Sequence, residues 1–233
     1  MPGPADASSR DASSRDASMR VVLFDFDGTV VDSRAAVAEA LNHVRNRKGL
    51  PPVGPERVEG LLAGGGSGQE TTDLLVRAGA GGKERRDALM LYGRVLAETS
   101  VGGTTVMPGL LDLLDTLERR RVPAALLSTR LALFVEEVLA HTGLAGRFRF
   151  VVGADTVMRP PPAPDAVEYV LERSGAAASW LVADDAVLLE AGRRAGVRTA
   201  FAAYGFGADP AGEADAVLPH PMRLAELIRM TSE

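Results

Sequence analysis

Two aspartates two residues apart, Asp25 and Asp27, are the side chains of this sequence best placed to do chemistry. They follow the short apolar run 21–24, so both carboxylates can project from the end of a buried strand toward one site. One carboxylate can act as a nucleophile, while the other protonates a leaving oxygen and later activates water. Gly28 lets the backbone turn sharply after the pair. The alternative is a plain strand-to-turn junction in which aspartate forms the turn.

Polar side chains also follow the later apolar runs of the sequence. Ser128 and Thr129 follow the second run, Asp155 lies beyond the third, and Asp184 and Asp185 end the fourth. Because the carboxyl ends of parallel strands meet at one edge of a sheet, we expect these groups near the first aspartate pair. For Asp155 we favour a strand end or a helix cap. Clustered carboxylates repel one another, and a hard cation such as Mg²⁺ would neutralise them.

The elements that must position these groups are short apolar runs that alternate with helical patterns. This alternation predicts an α/β fold, in which a parallel sheet has right-handed crossovers and binds ligands at the carboxyl ends of its strands. The apolar runs are 21–24, 122–127, 148–152, 180–183, 198–202 and 216–218.

Segment 34–104 interrupts the alternation of strands and helices. It contains helical patterns and no convincing strand, which predicts an all-helical insertion after the first strand. Ser33 is expected to cap the first helix of the insertion. The glycine run 64–68 lacks the lysine that follows in a P-loop, so we interpret it as a loop of the insertion. The predicted units are an α/β core at 19–33 and 105–233 and the insertion at 34–104.

The first 18 residues repeat the pentad Asp-Ala-Ser-Ser-Arg, with a third copy that stops after three residues. Such small and charged residues cannot bury enough apolar area to offset the entropy cost of ordering them. We therefore predict a disordered tail over residues 1–18. Met19 directly precedes the first apolar run, which makes it a candidate start of the native protein.

Composition excludes several classes of function. The 26 basic and 31 acidic residues give a net charge of −5, which argues against a sequence-independent grip on nucleic acid. The absence of cysteine excludes disulfides and cysteine nucleophiles, and it fits a reducing compartment. No apolar run approaches the ~20 residues that a membrane-spanning helix needs. We expect a cytoplasmic protein without nucleic-acid or membrane partners.

The stretch from Asp25 to Thr29 resembles the Asp-x-Asp-Gly-Thr motif of the haloacid dehalogenase superfamily, and its phosphoglycolate phosphatase-like branch looks most similar. This resemblance covers residues 20–228 and implies a Rossmann-like core with an inserted helical cap. The family's dehalogenases lack the second acid, so Asp27 favours phosphoryl chemistry over carbon–halogen cleavage. Further similar segments are 49–52, 107–109, 153–155, 163–165, 195–197, 204–207 and 214–217.

The resemblance implies a catalytic role for each acidic strand end. Asp25 would attack phosphorus and form an aspartyl-phosphate, and Asp27 would be the general acid and base. Asp184 would hold Mg²⁺ together with Asp25 and the main-chain carbonyl of Asp27. These roles agree with phosphoryl-transfer physics, in which positioning and charge neutralisation supply most of the catalysis.

The resemblance also implies a substrate-binding set around the second strand end. Ser128 matches the family's second motif, in which a hydroxyl binds a phosphate oxygen. The residues assigned to substrate binding are Ser128, Thr129, Arg130 and Gly28.

Two motifs of the family are altered in this chain. The third motif reads Lys-Pro-x-Pro-Asp in the family, and here Pro161 stands in place of its lysine. Arg159 is a candidate catalytic cation in the lysine's stead, and Arg130 is a second. In the fourth motif Leu188 replaces the downstream acid. Asp185 either takes over as a metal ligand or caps the following helix.

The retained and altered motifs together leave three functions open. The first is a Mg²⁺-dependent phosphatase of a small, phosphoglycolate-like phosphomonoester. The second is a catalytically impaired relative that binds a phosphorylated ligand or a partner without turnover, as the altered third and fourth motifs would allow. The third is a phosphotransferase or mutase, which needs the same aspartyl-phosphate and a sugar-phosphate acceptor. The sequence does not address oligomeric state.

Overall fold

The computed structural model describes residues 20–64, 68–208 and 212–230. The predicted disordered tail at 1–18 lies outside these residues. In chain order the strands are β1 (Arg20–Asp25), β2 (Val31–Asp32), β3 (Thr105–Val106), β4 (Ala124–Leu127), β5 (Phe150–Val152), β6 (Ala177–Ala183), β7 (Arg198–Ala202) and β8 (Ala216–Leu218). The helices are α1 (Arg34–Arg47), α2 (Pro55–Ala63), α3 (Gly68–Leu75), α4 (Gly82–Gly103), α5 (Leu110–Arg119), α6 (Ala132–His141), α7 (Asp165–Ser174), α8 (Ala186–Arg194) and α9 (Arg223–Met230).

Six of these strands form one sheet in the order β5-β4-β1-β6-β7-β8, and every neighbouring pair is parallel. Strand β1 therefore lies between β4 and β6. Asp25, the last residue of β1, pairs with Leu127 at the end of β4, and Phe24 pairs with Val182 in β6. The carboxyl ends of these three strands meet at one edge, so the residues that follow them are neighbours.

Strand β1 holds its place because the core buries it on both faces. Val22 and Phe24 pack into one hydrophobic cluster, whereas Val21 and Leu23 pack into the cluster on the opposite face, and none of the four is exposed. Burying a side chain of this size contributes about 1.5–3 kcal/mol. This packing anchors Asp25 at the end of a rigid strand.

Helices cover both faces of the sheet. Leu110, Leu113, Leu114 and Leu117 lie on one side of α5 and are all buried, as their spacing predicts. They join the first cluster, to which α6 and α9 also contribute, whereas α7 and α8 pack into the second. The two clusters make the sheet the middle layer of a three-layer sandwich.

Helices α1 to α4 form the insertion between β2 and β3, which we call the cap. The cap has its own hydrophobic cluster, which includes Val37 and Leu41 from α1, Leu61 from α2 and Leu75 from α3. The described residues of 34–104 contain helices and no strand, as the sequence predicts. Strands β2 and β3 form a two-stranded antiparallel ribbon where the chain leaves and re-enters the core.

The boundaries of four strands differ from the predicted ones. Strand β1 extends one residue beyond the predicted run at each end. Strand β4 begins at Ala124 instead of residue 122, because Pro123 has no N–H to donate to the ladder. Strand β5 begins at Phe150 instead of residue 148, although Phe148 is buried and packs edge-on against Phe24. Strand β6 begins three residues before the predicted start. An apolar residue such as Phe148 can therefore belong to the buried core without being part of a strand.

The predicted fold class is confirmed. The described chain has a six-stranded parallel sheet with helices on both faces, which is the Rossmann-like α/β architecture, and a helical cap inserted after β1. Across the described helices, none combines the length and the apolar character that crossing a membrane requires.

Candidate active site at the carboxyl ends of the strands

Asp25 lies at the centre of the site. Its Oδ1 accepts a hydrogen bond of 2.7 Å from the backbone N–H of Phe26, which fixes the carboxylate in its direction. Burial raises the pKa of Asp25 well above its usual value, and the nearby charges of Asp185, Asp184 and Asp27 raise it further. A cation placed beside Asp25 would stabilise the ionised form of its carboxylate.

Asp184 and Asp185 approach Asp25 from the end of β6. One carboxylate oxygen from each of the three residues lies within 4.8 Å of the others. Burial raises the pKa of Asp184 to about 7, although its Oδ2 accepts hydrogen bonds from the backbone N–H groups of Phe206 (2.8 Å) and Gly207 (3.3 Å). Three carboxylates held this close are the oxygen donors that a hard divalent cation prefers, so the cluster fits a metal.

Asp185 caps α8, which is one of the two alternatives that the sequence leaves open for it, and its carboxylate also lies where the other alternative, a metal ligand, requires it. Its Oδ1 accepts hydrogen bonds of 2.8 Å from the backbone N–H groups of Val187 and Leu188, so it caps α8. It is also a member of the carboxylate cluster. The helix cap therefore holds this third carboxylate in place beside Asp25.

Three glycines allow the chain to approach Asp184 closely. A Cβ atom at Gly28 would lie 2.0 Å from Asp184 Oδ2, and one at Gly205 would lie 2.5 Å from Asp184 Cβ. At Gly207 the Cβ would lie only 1.5 Å from the Asp184 carbonyl oxygen. Gly28 also has a φ of +75°, which favours glycine. Gly28 therefore makes room for the Asp184 carboxylate, a role different from the predicted contact with substrate.

Asp27 is held apart from the cluster by hydrogen bonds of its own. The Arg130 guanidinium donates to both carboxylate oxygens, from Nη2 at 2.6 Å and from Nε at 2.9 Å. The Ser33 hydroxyl donates to the same carboxylate. Ser33 occupies the N-cap position of α1 as predicted, but its side chain makes no cap hydrogen bond because it binds Asp27 instead.

Arg130 connects the core with the cap. Its Nη1 donates a hydrogen bond of 3.0 Å to the hydroxyl of Ser100, a buried residue of α4. The guanidinium also lies over the ring of Phe26, with 5.6 Å from its central carbon to the ring centroid. The side chains of Arg130 and Asp27 are only 13% and 22% exposed, so this ion pair is largely shielded from water.

Ser128 and Thr129 follow β4 and lie beside Asp25. The backbone N–H of Ser128 donates to the carbonyl of Val152 at 2.9 Å, and its hydroxyl accepts from the backbone N–H of Arg130 at 3.1 Å. Both residues line a cavity that Asp25 also lines. The structure therefore brings this part of the predicted substrate-binding set to the site.

Arg159 is the predicted site residue that the structure does not bring to the cluster. Its side chain is 70% exposed and pairs with Asp165, with 2.8 Å between Arg159 Nη2 and Asp165 Oδ1. Pro161 lines the same cavity as Asp25, so the position of the missing lysine does border the site. Arg159 lies two residues before Pro161, and the chain turns between these residues and α7. The side chain of Arg159 therefore lies on the outer surface.

Two further predicted positions are explained by helix packing. The Oδ1 of Asp155 accepts a hydrogen bond of 2.9 Å from the backbone N–H of Ala132 at the start of α6, so its helix-cap interpretation is confirmed. Leu188, which replaces the family's acid, is 5% exposed and belongs to the second hydrophobic cluster. Leu188 therefore packs in the hydrophobic core at the position where the family has a carboxylate.

Two cavities extend from Asp25. The cap-side cavity, of about 200 Å³, lies between the strand ends and the cap, and its cap wall consists of Val37, Leu61, Leu62, Thr71, Tyr92 and Leu96. The core-side cavity, of about 490 Å³, runs past Ser128 and Thr129 to Pro161 and Leu188. Asp25 and Asp185 border both cavities, so a molecule in either one can reach the Asp25 carboxylate.

Several residues of this site could not be predicted from the sequence. Ser100 and Tyr92 were not singled out because their approach to the core depends on how α4 packs. The segment 204–207 was noted only as similar to the family, and its two glycines were the available signal for a close approach. Burial raises the pKa of the Tyr204 hydroxyl, which has no hydrogen-bond partner within the described part of the chain. The charges of Asp184 and Asp25 add to that shift.

A family model described as haloacid dehalogenase-like hydrolase matches residues 22–202. The chain belongs to this family, as its resemblance indicates. It is also similar to two curated phosphatases. It is 32% identical over 192 residues to phosphoglycolate phosphatase 1 of Pseudomonas aeruginosa, covering 80% of this chain and 70% of that protein. It is 30% identical over 212 residues to the phosphoglycolate phosphatase of Aquifex aeolicus, covering 90% of this chain and 97% of that one.

A solved structure shares the fold. The crystal structure of a predicted phosphoglycolate phosphatase from Haemophilus somnus superimposes with a TM-score of 0.81 at 18% identity, covering 90% of this chain and 98% of that chain. At this identity the likeness concerns the fold alone. Family membership and the curated relatives confirm the predicted enzyme class, a phosphoric monoester hydrolase.

Proposed function

We propose that the protein is a Mg²⁺-dependent phosphatase that releases phosphate from a small phosphomonoester through an aspartyl-phosphate on Asp25. The observation that carries this proposal is the position of Asp25 between two different acidic environments. On one side lies the cluster with Asp184 and Asp185, and on the other lies Asp27, which Arg130 holds by two hydrogen bonds. The two sides supply the charge neutralisation and the proton transfer that phosphoryl transfer needs.

Asp25 is the proposed nucleophile. Its Oδ1 accepts from the backbone N–H of Phe26 at the end of a strand that is buried on both faces. The other carboxylate oxygen is then the atom available to attack phosphorus. When bound by Asp25, Asp184, Asp185 and the main-chain carbonyl of Asp27, Mg²⁺ would neutralise the carboxylates and the phosphate oxygens.

Asp27 is the proposed general acid and base. It would protonate the leaving oxygen as the bond to phosphorus breaks, and then accept a proton from the water that hydrolyses the aspartyl-phosphate. Ser33 and Arg130 both donate to its carboxylate, which favours a single orientation toward the cap-side cavity that Asp27 lines. We assign the charge of the family's missing lysine to Arg130, because Arg159 points to solvent and pairs with Asp165.

Ser128 and Thr129 are the proposed phosphate-binding residues. Both border the cavity that opens from Asp25 on the core side. The cap-side cavity of about 200 Å³ is large enough for the rest of a molecule of the size of phosphoglycolate. The names of the two curated relatives make phosphoglycolate the first substrate to assay.

The test is phosphate release from a panel of small phosphomonoesters, with Mg²⁺ or with EDTA. We expect release by the wild-type protein in Mg²⁺ only, and none by Asp25→Asn. Asp155→Asn is the matched control, because this carboxylate caps α6 at the same edge of the sheet and should leave activity unchanged. Wild-type activity equal to that of Asp25→Asn, or no release from any ester, would overturn the proposal.

The second candidate is a protein that binds a phosphorylated ligand without turnover. It is favoured by Pro161 and Leu188, which make an apolar wall in the core-side cavity where the family places charged groups. The two candidates differ in the phosphoenzyme. Beryllofluoride with Mg²⁺ should form an adduct on Asp25 in the phosphatase, observed by ¹⁹F NMR and lost in Asp25→Asn. A binder without turnover should bind phosphomonoesters and form no such adduct.

A further inference from the structure

The cap wall of the cap-side cavity is predominantly apolar. Val37, Leu61, Leu62 and Leu96 contribute aliphatic side chains, and Tyr92 contributes a ring. Burial raises the pKa of Tyr92 to about 12, so its hydroxyl is neutral at any physiological pH. A leaving group that lies against this wall meets hydrocarbon instead of charged side chains.

The opposite wall of the same cavity carries strong negative charge. Asp25, Asp27, Asp184 and Asp185 all line it. Arg130 is the single cation among the described lining residues, and its guanidinium donates to both oxygens of Asp27 and to Ser100. Even with Mg²⁺ on the carboxylate cluster, a carboxylate on the leaving group would find only one cationic side chain in the described lining, and it would have to compete with Asp27 for that arginine.

We propose that the alcohol released in the cap-side cavity is small, uncharged and predominantly apolar. This inference rests on the proposed phosphatase function and names the class of its substrate as alkyl or aryl phosphates without a second anionic group. Since one water in the liquid takes roughly 30 Å³, a cavity of about 200 Å³ holds a leaving group of only a few carbon atoms. An anionic group buried there without its own cation loses hydration that the hydroxyl groups of the wall, on Thr71, Tyr92 and Thr129, replace only in part.

A matched pair of esters tests the proposal. Phosphoglycolate and isobutyl phosphate have the same branching, with two carboxylate oxygens in the first and two methyl groups in the second. We expect kcat/KM in Mg²⁺ to be at least tenfold higher for isobutyl phosphate, although its alcohol is the poorer leaving group. An equal or higher value for phosphoglycolate would overturn the inference.

Binding to Asp25→Asn separates ligand preference from chemistry. Isothermal titration of this variant with each ester should give at least a tenfold lower Kd for isobutyl phosphate. If this variant prefers isobutyl phosphate while the wild-type protein hydrolyses neither ester, the cavity has the inferred ligand preference but the proposed function fails. If both are hydrolysed and phosphoglycolate is preferred, the proposed function holds and the inference fails. If neither ester binds, the inference also fails.

A substitution in the cap wall should reverse the preference. Leu62 is partly buried on α2 and lines the cavity, so Leu62→Arg would supply the cation that the wall lacks. We expect the ratio of kcat/KM values to shift at least tenfold toward phosphoglycolate. Leu89→Arg is the control, because Leu89 lies on α4 with 37% exposure and does not line the cavity. An equal shift in both variants would contradict the proposal, and a Leu62 variant that fails to fold leaves the wild-type comparison to decide.

Discussion

The end of β1 and the segment before α7 border the same cavity, yet they are constructed very differently. At the end of β1, Asp25 is fixed by a backbone hydrogen bond and Asp27 by two side chains. In the segment before α7, Met158 is 94% exposed. Among the ion pairs of the described chain, Arg159 takes part only in the one with Asp165, the first residue of α7. A substitution at the strand end disturbs many contacts at once, whereas one in the segment disturbs few.

This contrast explains why one motif is retained and the other altered. The acids of β1 cannot be moved without changing the sheet, the cap contact through Arg130 and the approach of β6. The lysine of the segment supplied mainly charge, and charge can come from another direction. Arg130 reaches the site from the end of β4 and donates to Ser100 of the cap, and under the proposed function it would supply this charge in place of the lysine.

The largest effect is expected from the end of β1. Asp25→Asn should lower kcat by about 10⁴-fold or more, because no neighbouring side chain can replace the nucleophile. It should also leave the fold intact and raise the melting temperature, since it removes one of several mutually repelling carboxylates. Steady-state kinetics and thermal unfolding test both expectations. A variant that keeps a tenth of the activity would contradict the assigned nucleophile.

The next effect concerns the arginine that replaces the lysine. Arg130→Met should lower kcat by about 10²–10³-fold, because it leaves Asp27 without its partner and removes the positive charge from the site. Arg130→Lys should recover part of the activity, since lysine keeps the charge but cannot make the two-pronged contact. Arg159→Ala is the control and should stay within threefold of wild type. A larger loss of kcat in Arg159→Ala than in Arg130→Met would instead assign the catalytic cation to Arg159.

A smaller effect is expected from the glycine beneath Asp184. Gly207→Ala would place a Cβ atom 1.5 Å from the Asp184 carbonyl oxygen, so the loop or the carboxylate must shift. We expect Mg²⁺ affinity to fall at least tenfold and unfolding free energy to fall by about 1–3 kcal/mol. Gly93→Ala on α4 has open space around it and should be neutral or stabilising. Unchanged Mg²⁺ affinity in Gly207→Ala would show that the carboxylate does not depend on this contact.

The pH dependence of stability should report the carboxylate cluster directly. Burial raises the pKa of Asp184 from 3.8 to about 7, and it raises that of Asp25 as well. The native protein then holds protons that the unfolded chain has released, so the free energy of unfolding falls as pH rises from about 4 to about 7. Mg²⁺ binds the ionised native cluster, and we expect it to raise Tm by several degrees at pH 8 and very little at pH 5. An equal rise in Tm at both pH values would contradict this linkage. In Asp184→Asn the rise in Tm that Mg²⁺ causes at pH 8 should be smaller.

The smallest effect should follow from restoring the family's residue. Pro161→Lys places a charge where the core-side cavity is apolar. We expect kcat to rise by less than about tenfold, because Arg130 already provides a cation at the site. The same substitution in the Arg130→Met background should raise kcat by a larger factor. Equal gains in the two backgrounds would mean that the cations act independently.

The sequence predicted the sheet and the acidic strand ends because both depend on local patterns. Apolar runs of four to six residues specify buried strands, and the Asp25–Asp27 spacing places two carboxylates at one strand end whatever surrounds them. The contacts of Ser33 and Arg130 with Asp27 could not be predicted, since they join residues 6 and 103 positions away. Arg159 was proposed on its sequence distance from Pro161, and such a distance does not fix the direction of a side chain in an irregular segment.

The ribbon of β2 and β3 also bears on how this enzyme can change through evolution. Val31 pairs with Val106 and Asp32 with Thr105, so the two ends of the cap lie side by side on the core. A helical module whose ends are joined in this way can be exchanged for another without rethreading the sheet. Mutations in the cap can therefore change the cap wall of the cap-side cavity without changing the strands that hold the acidic residues. Under the proposed function, the cap would contribute to selectivity and the core would carry the phosphoryl chemistry, so the two properties could evolve at different rates.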